Sequence, residues 1–156
     1  MNKKVCILGI VIILLDQISK NIISSILSLG KSIKVIKDFF YLTYVHNFGG
    51  AWSIFNNRVP LLVIATFVII FILIKYMDKF KINKRNALAF GLLFGGIISN
   101  LIDRICFGYV KDFLDFKIFN YNYPVFNIAD IAIVVGVFLM IIAIIKGEDK
   151  NGTSSN

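Results

Sequence analysis

Residues Val5–Leu29 read VCILGIVIILLDQISKNIISSILSL, an apolar run in which Asp16 and Lys20 are the only charges. At about 1.5 Å of helical rise per residue, a run of this length crosses a hydrocarbon core about 30 Å thick. Inside lipid the backbone must satisfy its own hydrogen bonds, so the run is expected to be a helix. Asp16 and Lys20 stand at i, i+4, on one helix face, where opposite charges pair. The opening Met1-Asn2-Lys3-Lys4 resembles the positive end of a secretory signal. The apolar run is too long for such a signal, however, and no small-x-small cleavage site stands out, so it reads as an uncleaved first span.

Three more apolar stretches follow, at about 59–76, 86–103 and 126–146, and Asp130 is the charge that opens the last one. The composition agrees with a membrane class. The hydrophobic fraction is 58%, the charged fraction 17% and the mean hydropathy +0.81. Soluble domains carry roughly 45–50% apolar and about 25% charged residues. A chain of 156 residues has too much surface for its volume to hide this excess from water. Gly 11, Pro 2 and Cys 2 exclude a collagen-like fibre and a disulfide scaffold. The +8 net charge comes from basic residues gathered at the ends of the apolar runs. There they meet phospholipid headgroups, and no basic, aromatic-interleaved face points to nucleic acid.

Orientation follows from density of charge. Residues 75–85 (KYMDKFKINKR) hold Lys75, Lys79, Lys81, Lys84 and Arg85, and Lys3, Lys4, Lys146 and Lys150 lie near the termini. Four spans put the termini and this loop on one side, which the positive-inside rule makes cytoplasmic. Segments 30–58 and 104–125 then face outward. Within them, Ile33–Val45 (IKVIKDFFYLTYV) and Gly108–Phe116 (GYVKDFLDF) are rich in β-branched and aromatic residues and read as strands beside the headgroups. The tail 147–156 (GEDKNGTSSN) is polar and expected to be disordered.

Ionisable residues at membrane depth are costly and mark functional sites by default. On this topology Asp16 and Lys20 fall in the outer half of the first span, and Asn100, Asp103 and Arg104, and Asn127 and Asp130, at the outer ends of theirs. Asn47 and Asp112 lie in the flanking outer segments, so the unusual polar groups converge on one boundary. Each also has a simpler reading. Asp16–Lys20 can be a tolerated intrahelical pair, Asp103–Arg104 a paired cap at headgroup level, and Gly95-Gly96 either a close helix contact or room for substrate. Asp38, Asp78, Asp115, Glu148 and Asp149 read as solvated loop charges.

Several chemistries are disfavoured. No Gly-x-Ser-x-Gly occurs, a single His leaves no zinc-protease motif, and Cys106 with His46 is linked only by location. Cys6 falls on the inner side, so no disulfide with Cys106 is expected. Two acids remain, Asp112 and Asp130. A partly buried carboxylate pair holds one proton over a wide pH range, so one member acts as base towards water while the other donates to a carbonyl oxygen. No metal or cofactor is required. Spacing alone leaves this pairing one reading among several.

The order of short motifs sharpens it. They are Asp16-Gln-x-x-Lys20, Asn47-Phe-Gly49-Gly-Ala51-Trp, Gly95-Gly96-x-x-x-Asn100-x-x-Asp103-Arg104, Gly108-Tyr-Val110-Lys-Asp112-Phe and Phe126-Asn127-x-Ala129-Asp130. In this order, on four spans, the chain resembles the lipoprotein signal peptidases (signal peptidase II) over nearly all of its length. Gly50 stands where Ala is more usual. The resemblance implies a bacterial inner-membrane aspartic endopeptidase that cleaves prolipoproteins just before a diacylglyceryl-modified cysteine. It implies Asp112 and Asp130 as the catalytic pair. Asn47, Gly49, Gly96, Asn100, Asp103, Arg104, Asn127 and Ala129 are implied as supporting or substrate-binding positions, and Asp16 and Lys20 as structural. The implied fold is an all-α membrane protein, a four-transmembrane-helix bundle with a small extramembrane β-sheet on the outer side and a periplasm-side helix. It forms one domain over 1–146. Implied partners are the lipidated prolipoprotein, membrane phospholipids and globomycin-type inhibitors, with the enzyme expected to act as a monomer. The competing readings are a small transporter relaying protons through Asp16, Lys20 and Asp130, and a lipid-binding assembly module without catalysis.

Overall fold

The computed structural model describes residues 2–50, 54, 55, 57–118 and 121–148. Four helices carry the apolar runs: α1 (Lys3–Ile26), α2 (Val59–Met77), α3 (Lys84–Phe107) and α4 (Ile128–Ile145). All four are long and apolar enough to cross a membrane. Local chemistry sets their ends. Asn2 accepts from the Lys4 amide at 2.9 Å to cap α1, and Pro60 opens α2, where its missing N–H costs nothing. Asn83 accepts from the Asn86 amide at 2.8 Å to cap α3. Gly108, at φ 76, closes α3 in the left-handed conformation that glycine adopts without a Cβ penalty. α1 therefore stops three residues short of Leu29, and α3 runs past Asp103 to Phe107.

Helices α1, α3 and α4 form the packed bundle. A Cβ at Gly95 would stand 2.8 Å from the Gly9 carbonyl oxygen of α1, and one at Gly96 would collide with the Ala129 carbonyl of α4. Both positions need glycine for close backbone approach, so the paired glycines are a helix contact. Helix α2 packs chiefly against α3, and Ile64, Phe67, Phe71 and Ile72 on it are more than half exposed. Lipid is the natural cover for those side chains.

Two clusters mark opposite ends. Val5, Met77, Phe80, Ala87, Phe90, Phe94 and Ala143 close the end where the start of α1, the α2–α3 loop and the end of α4 meet. At the other end, Ile23 and Leu27 pack on Tyr44 and Phe113 of a small sheet. The sheet has order β1 (Ser32–Ile36), β2 (Phe40–Asn47), β3 (Val110–Ile118) and β4 (Tyr121–Asn122), with neighbours antiparallel. The Ile33–Val45 strand signal thus resolves into a hairpin, turning at Asp38 with φ 56. The register of β2 against β3 shifts between Leu42 and Val45, which sets Val45 opposite Asp112. Bulges of this kind commonly re-aim side chains beside functional sites. Among the described residues the implied periplasm-side helix has no counterpart; Ala51, Trp52 and the expected disordered tail from Asp149 onward lie outside them.

Candidate active site

Three helix ends and one strand meet beside the sheet: the C-terminal parts of α1 and α3, the N-terminus of α4, and the start of β3. Asn127 is the N-cap of α4. Its Oδ1 accepts from the Asp130 amide at 2.9 Å, while its own amide donates to Asp130 Oδ2 at 3.2 Å, a reciprocal capping box. The Asn127 side-chain Nδ2 then reaches Asp112 Oδ1 at 2.6 Å. One residue therefore touches both acids that the sequence singles out.

Each acid receives a second amide. Asn47 Nδ2 donates to Asp112 Oδ2 at 2.9 Å, and Asn100 Nδ2 donates to Asp130 Oδ1 at 2.8 Å. Asp112 is 1% exposed. Its carboxyl is pushed up to about 7, first by burial and next by the negative charge of Asp130, against the pull of the Asn47 and Asn127 donors. A buried acid beside a second acid, held by neutral amides rather than by a direct cation, is suited to keeping a proton near neutral pH.

Behind this pair lies an ion triad. Lys20 Nζ meets Asp16 Oδ2 at 2.6 Å and Asp103 Oδ2 at 3.1 Å, all three side chains fully buried. Lys20 also donates to Asn100 Oδ1 at 3.0 Å. Asp16 accepts from the Ser99 hydroxyl at 2.7 Å and from the Ala129 amide at 2.9 Å, and Asp103 accepts from the Lys111 amide at 3.1 Å. The expected Asp103–Arg104 pair is therefore corrected, because Asp103 pairs with Lys20. Successive residues of a helix point about 100° apart, so Asp103 turns to α1 while Arg104 turns away. Arg104 Nη2 donates to the Gly49 carbonyl at 2.9 Å, and the Gly49 amide donates to Asn47 Oδ1 at 2.9 Å. Arg104 thus braces the turn that carries Asn47.

Sequence reasoning gave no role to Gln17, Ser99 or Lys111. Gln17 Nε2 donates to Asp103 Oδ1 at 2.9 Å and to Ser99 Oγ at 3.0 Å. Lys111 is buried and donates to Asn21 Oδ1 at 3.0 Å. The helical spacing of 99, 100 and 103 was the available signal for Ser99; Lys111 carried none, since a lysine in an outer segment reads as solvated. Asp115 and Glu148, expected as solvated loop charges, are also engaged. Asp115 accepts from Thr43 at 2.6 Å, and Glu148 pairs with Arg85 and accepts from Asn83 at 2.8 Å. His46 stacks on Tyr109 with ring centroids 3.6 Å apart and shares a hydrogen bond with the Tyr44 hydroxyl, whereas Cys106 is exposed on α3. Nothing in this geometry couples His46 to the thiol.

Four apolar helices with a nest of aspartates and asparagines at one end define a multi-span membrane protein with a buried carboxylate centre. The family profile described as Signal peptidase (SPase) II matches residues 8–146. A lipoprotein signal peptidase of Halothermothrix orenii is 42% identical over 144 residues, 92% of this chain and 97% of that one. One from Staphylococcus haemolyticus is 39% identical over 145 residues, 92% of each chain. Two solved structures described as bacterial membrane enzymes superpose with TM-scores of 0.86 and 0.82, at 35% and 36% identity. They cover 97% and 91% of this chain, and 92% of each of theirs. The chain belongs to the signal peptidase II family of membrane peptidases.

Proposed function

We propose that this chain removes the signal peptide from diacylglyceryl-modified bacterial prolipoproteins, cutting before the lipidated cysteine, with Asp112 and Asp130 as the water-activating pair. The observation that carries the mechanism is the single asparagine, Asn127, bonded to both carboxylates. With one proton between them, the ionised acid takes a proton from water. The water oxygen attacks the scissile carbonyl while the protonated acid donates to the carbonyl oxygen. Collapse of the tetrahedral intermediate returns a proton to the leaving amine, that of the lipidated cysteine, and restores the pair. Asn47, Asn100 and Asn127 keep the carboxylate planes fixed, and Arg104 holds the Gly49 turn that carries Asn47.

The position suits the substrate. At the end of the bundle, an apolar signal segment lies along the spans in lipid while its scissile bond reaches the carboxylates, and the acyl chains need not leave the bilayer. The crowding of Lys75, Lys79, Lys81, Lys84 and Arg85 at the opposite end supports a cytoplasmic loop and termini. The sheet and site then lie at the outer face of the inner membrane. A monomer bearing the whole site, surrounded by phospholipid and open to globomycin-type inhibitors, completes the reading. A transmembrane proton relay is less well supported. Inward of Asp16 and Ser99, the buried residues of α3 and α4 run through Gly, Ala, Leu and Phe as far as Asn86.

The test is cleavage of a diacylated prolipoprotein peptide by purified enzyme in lipid bicelles, with and without chelator. Asp112→Asn and Asp130→Asn are expected to insert normally and to lose turnover, and chelator is expected to have no effect. Full activity in either variant, or loss of activity with chelator, overturns the mechanism.

A further inference from the structure

The amide immediately before each acid is gripped by a different member of the ion triad. The Lys111 N–H, preceding Asp112, donates to Asp103 Oδ2 at 3.1 Å. The Ala129 N–H, preceding Asp130, donates to Asp16 Oδ1 at 2.9 Å. Lys20 joins the two grips at 2.6 and 3.1 Å. Its third contact, 3.0 Å to Asn100 Oδ1, leaves the Asn100 Nδ2 end to face Asp130. An ammonium has three N–H donors, and these three partners use them all. No donor is left over to reach a reacting atom.

We infer that Lys20 is a positioning residue whose ion triad with Asp16 and Asp103 sets the separation of Asp112 and Asp130 and the direction of the Asn100 amide. The inference rests on the carboxylate pair proposed above. Its physical basis is that β3 and α4 are joined to the triad through backbone amides one residue from each acid. Moving Asp16 relative to Asp103 therefore moves Asp130 relative to Asp112. Without the cation, two buried carboxylates face each other, and their grips are driven apart. A packing role would make Lys20 matter to yield alone; the bonding pattern makes it matter to the geometry of the pair.

The experiment uses purified full-length Lys20→Met, which keeps an unbranched apolar stem and removes the charged end. Because that change exposes two carboxylates to each other and can prevent folding, Lys20→Met/Asp103→Asn is measured beside it. The double variant keeps the net charge of the triad and an acceptor for the Lys111 amide. Rates on the diacylated peptide are normalised to folded protein. The expected result is a kcat lowered about a hundredfold, as for misplacement of reacting groups by about 1 Å, with KM within twofold of the wild type. The two limbs of the kcat pH profile should also move closer together, because acids held further apart interact less. The charges facing the pair, Asp16 and Lys20 on α1 and Asp103 and Arg104 on α3, are held constant apart from those replaced; Lys111 on β3 turns to Asn21 instead. A wild-type kcat with unmoved limbs in whichever variant folds overturns the inference. Activity in Asp112→Asn or Asp130→Asn, run alongside, would instead bring down the carboxylate mechanism.

Discussion

Asn127 does two separable jobs, and substitution can divide them. As N-cap it accepts from the Asp130 amide at 2.9 Å, and as donor it reaches Asp112 at 2.6 Å. Replacing an N-cap Asn by Ala costs about 1 kcal/mol of helix stability, within a range of roughly 0.5–2. A hydrogen bond to a charged acceptor contributes about 1.5–3 kcal/mol, and its loss leaves a buried carboxylate oxygen without its donor. At about 1.36 kcal/mol per tenfold in rate, the donor's loss alone lowers kcat roughly ten- to a hundredfold. Asn127→Ala loses both contributions. Asn127→Ser keeps a capping oxygen, but its hydroxyl is too short to replace the amide at Asp112. Both variants are expected to lose a similar factor in kcat on the diacylated peptide. In detergent, the thermal midpoint of the Ser variant should lie about 2–4 °C above that of the Ala variant. A kcat within threefold of wild type in Asn127→Ala, or full rate regained along with stability in Asn127→Ser, would show that the two jobs of Asn127 do not divide in this way.

Two further substitutions probe the same centre. Asn47 donates to the ionised form of Asp112 and so holds its carboxyl down. The pair loses its shared proton near neutrality, where the Asp112 carboxyl is pushed up to about 7, so the basic limb of the rate profile is expected there. Asn47→Ala should move that limb to higher pH and lower the maximum, and a limb that stays or moves down, read from initial rates across the range, would contradict it. Gly96→Ala would press a methyl into the Ala129 carbonyl, displacing the α4 terminus that carries Asp130. A loss of about 1–3 kcal/mol in stability is expected for such overpacking, with a fall in kcat beyond what the unfolded fraction explains. Unchanged melting and turnover would show that α3 and α4 can part freely there.

Much of this protein was readable along the chain. Four apolar runs fixed four helices, since span length and hydropathy are properties of consecutive residues and lipid imposes helicity. Asn83, Asn127 and Gly108 act as helix boundaries through contacts with their own neighbours. The convergence of Asp16, Lys20, Asn100, Asp103, Asn127 and Asp130 on one depth also followed from counting residues along each run. What sequence could not supply was partner choice. Asp103 chose Lys20 on another helix over its neighbour Arg104, and Asp16 took up the Ala129 amide as well as the lysine four residues on. Lys111, in a segment expected only to face outward, is buried with its backbone held by Asp103.

By itself, then, the sequence determined the membrane class, the number of spans, the strand segments and the depth at which polar groups collect. Tertiary structure alone decided which of those groups touch, and that Asn127 would bridge Asp112 and Asp130. The reason is physical. Hydropathy and capping act within a few residues, whereas hydrogen-bond pairing depends on how each helix is rotated and how closely it approaches. Those quantities are set by contacts such as Gly95 on Gly9 and Gly96 on Ala129, between residues far apart in the chain.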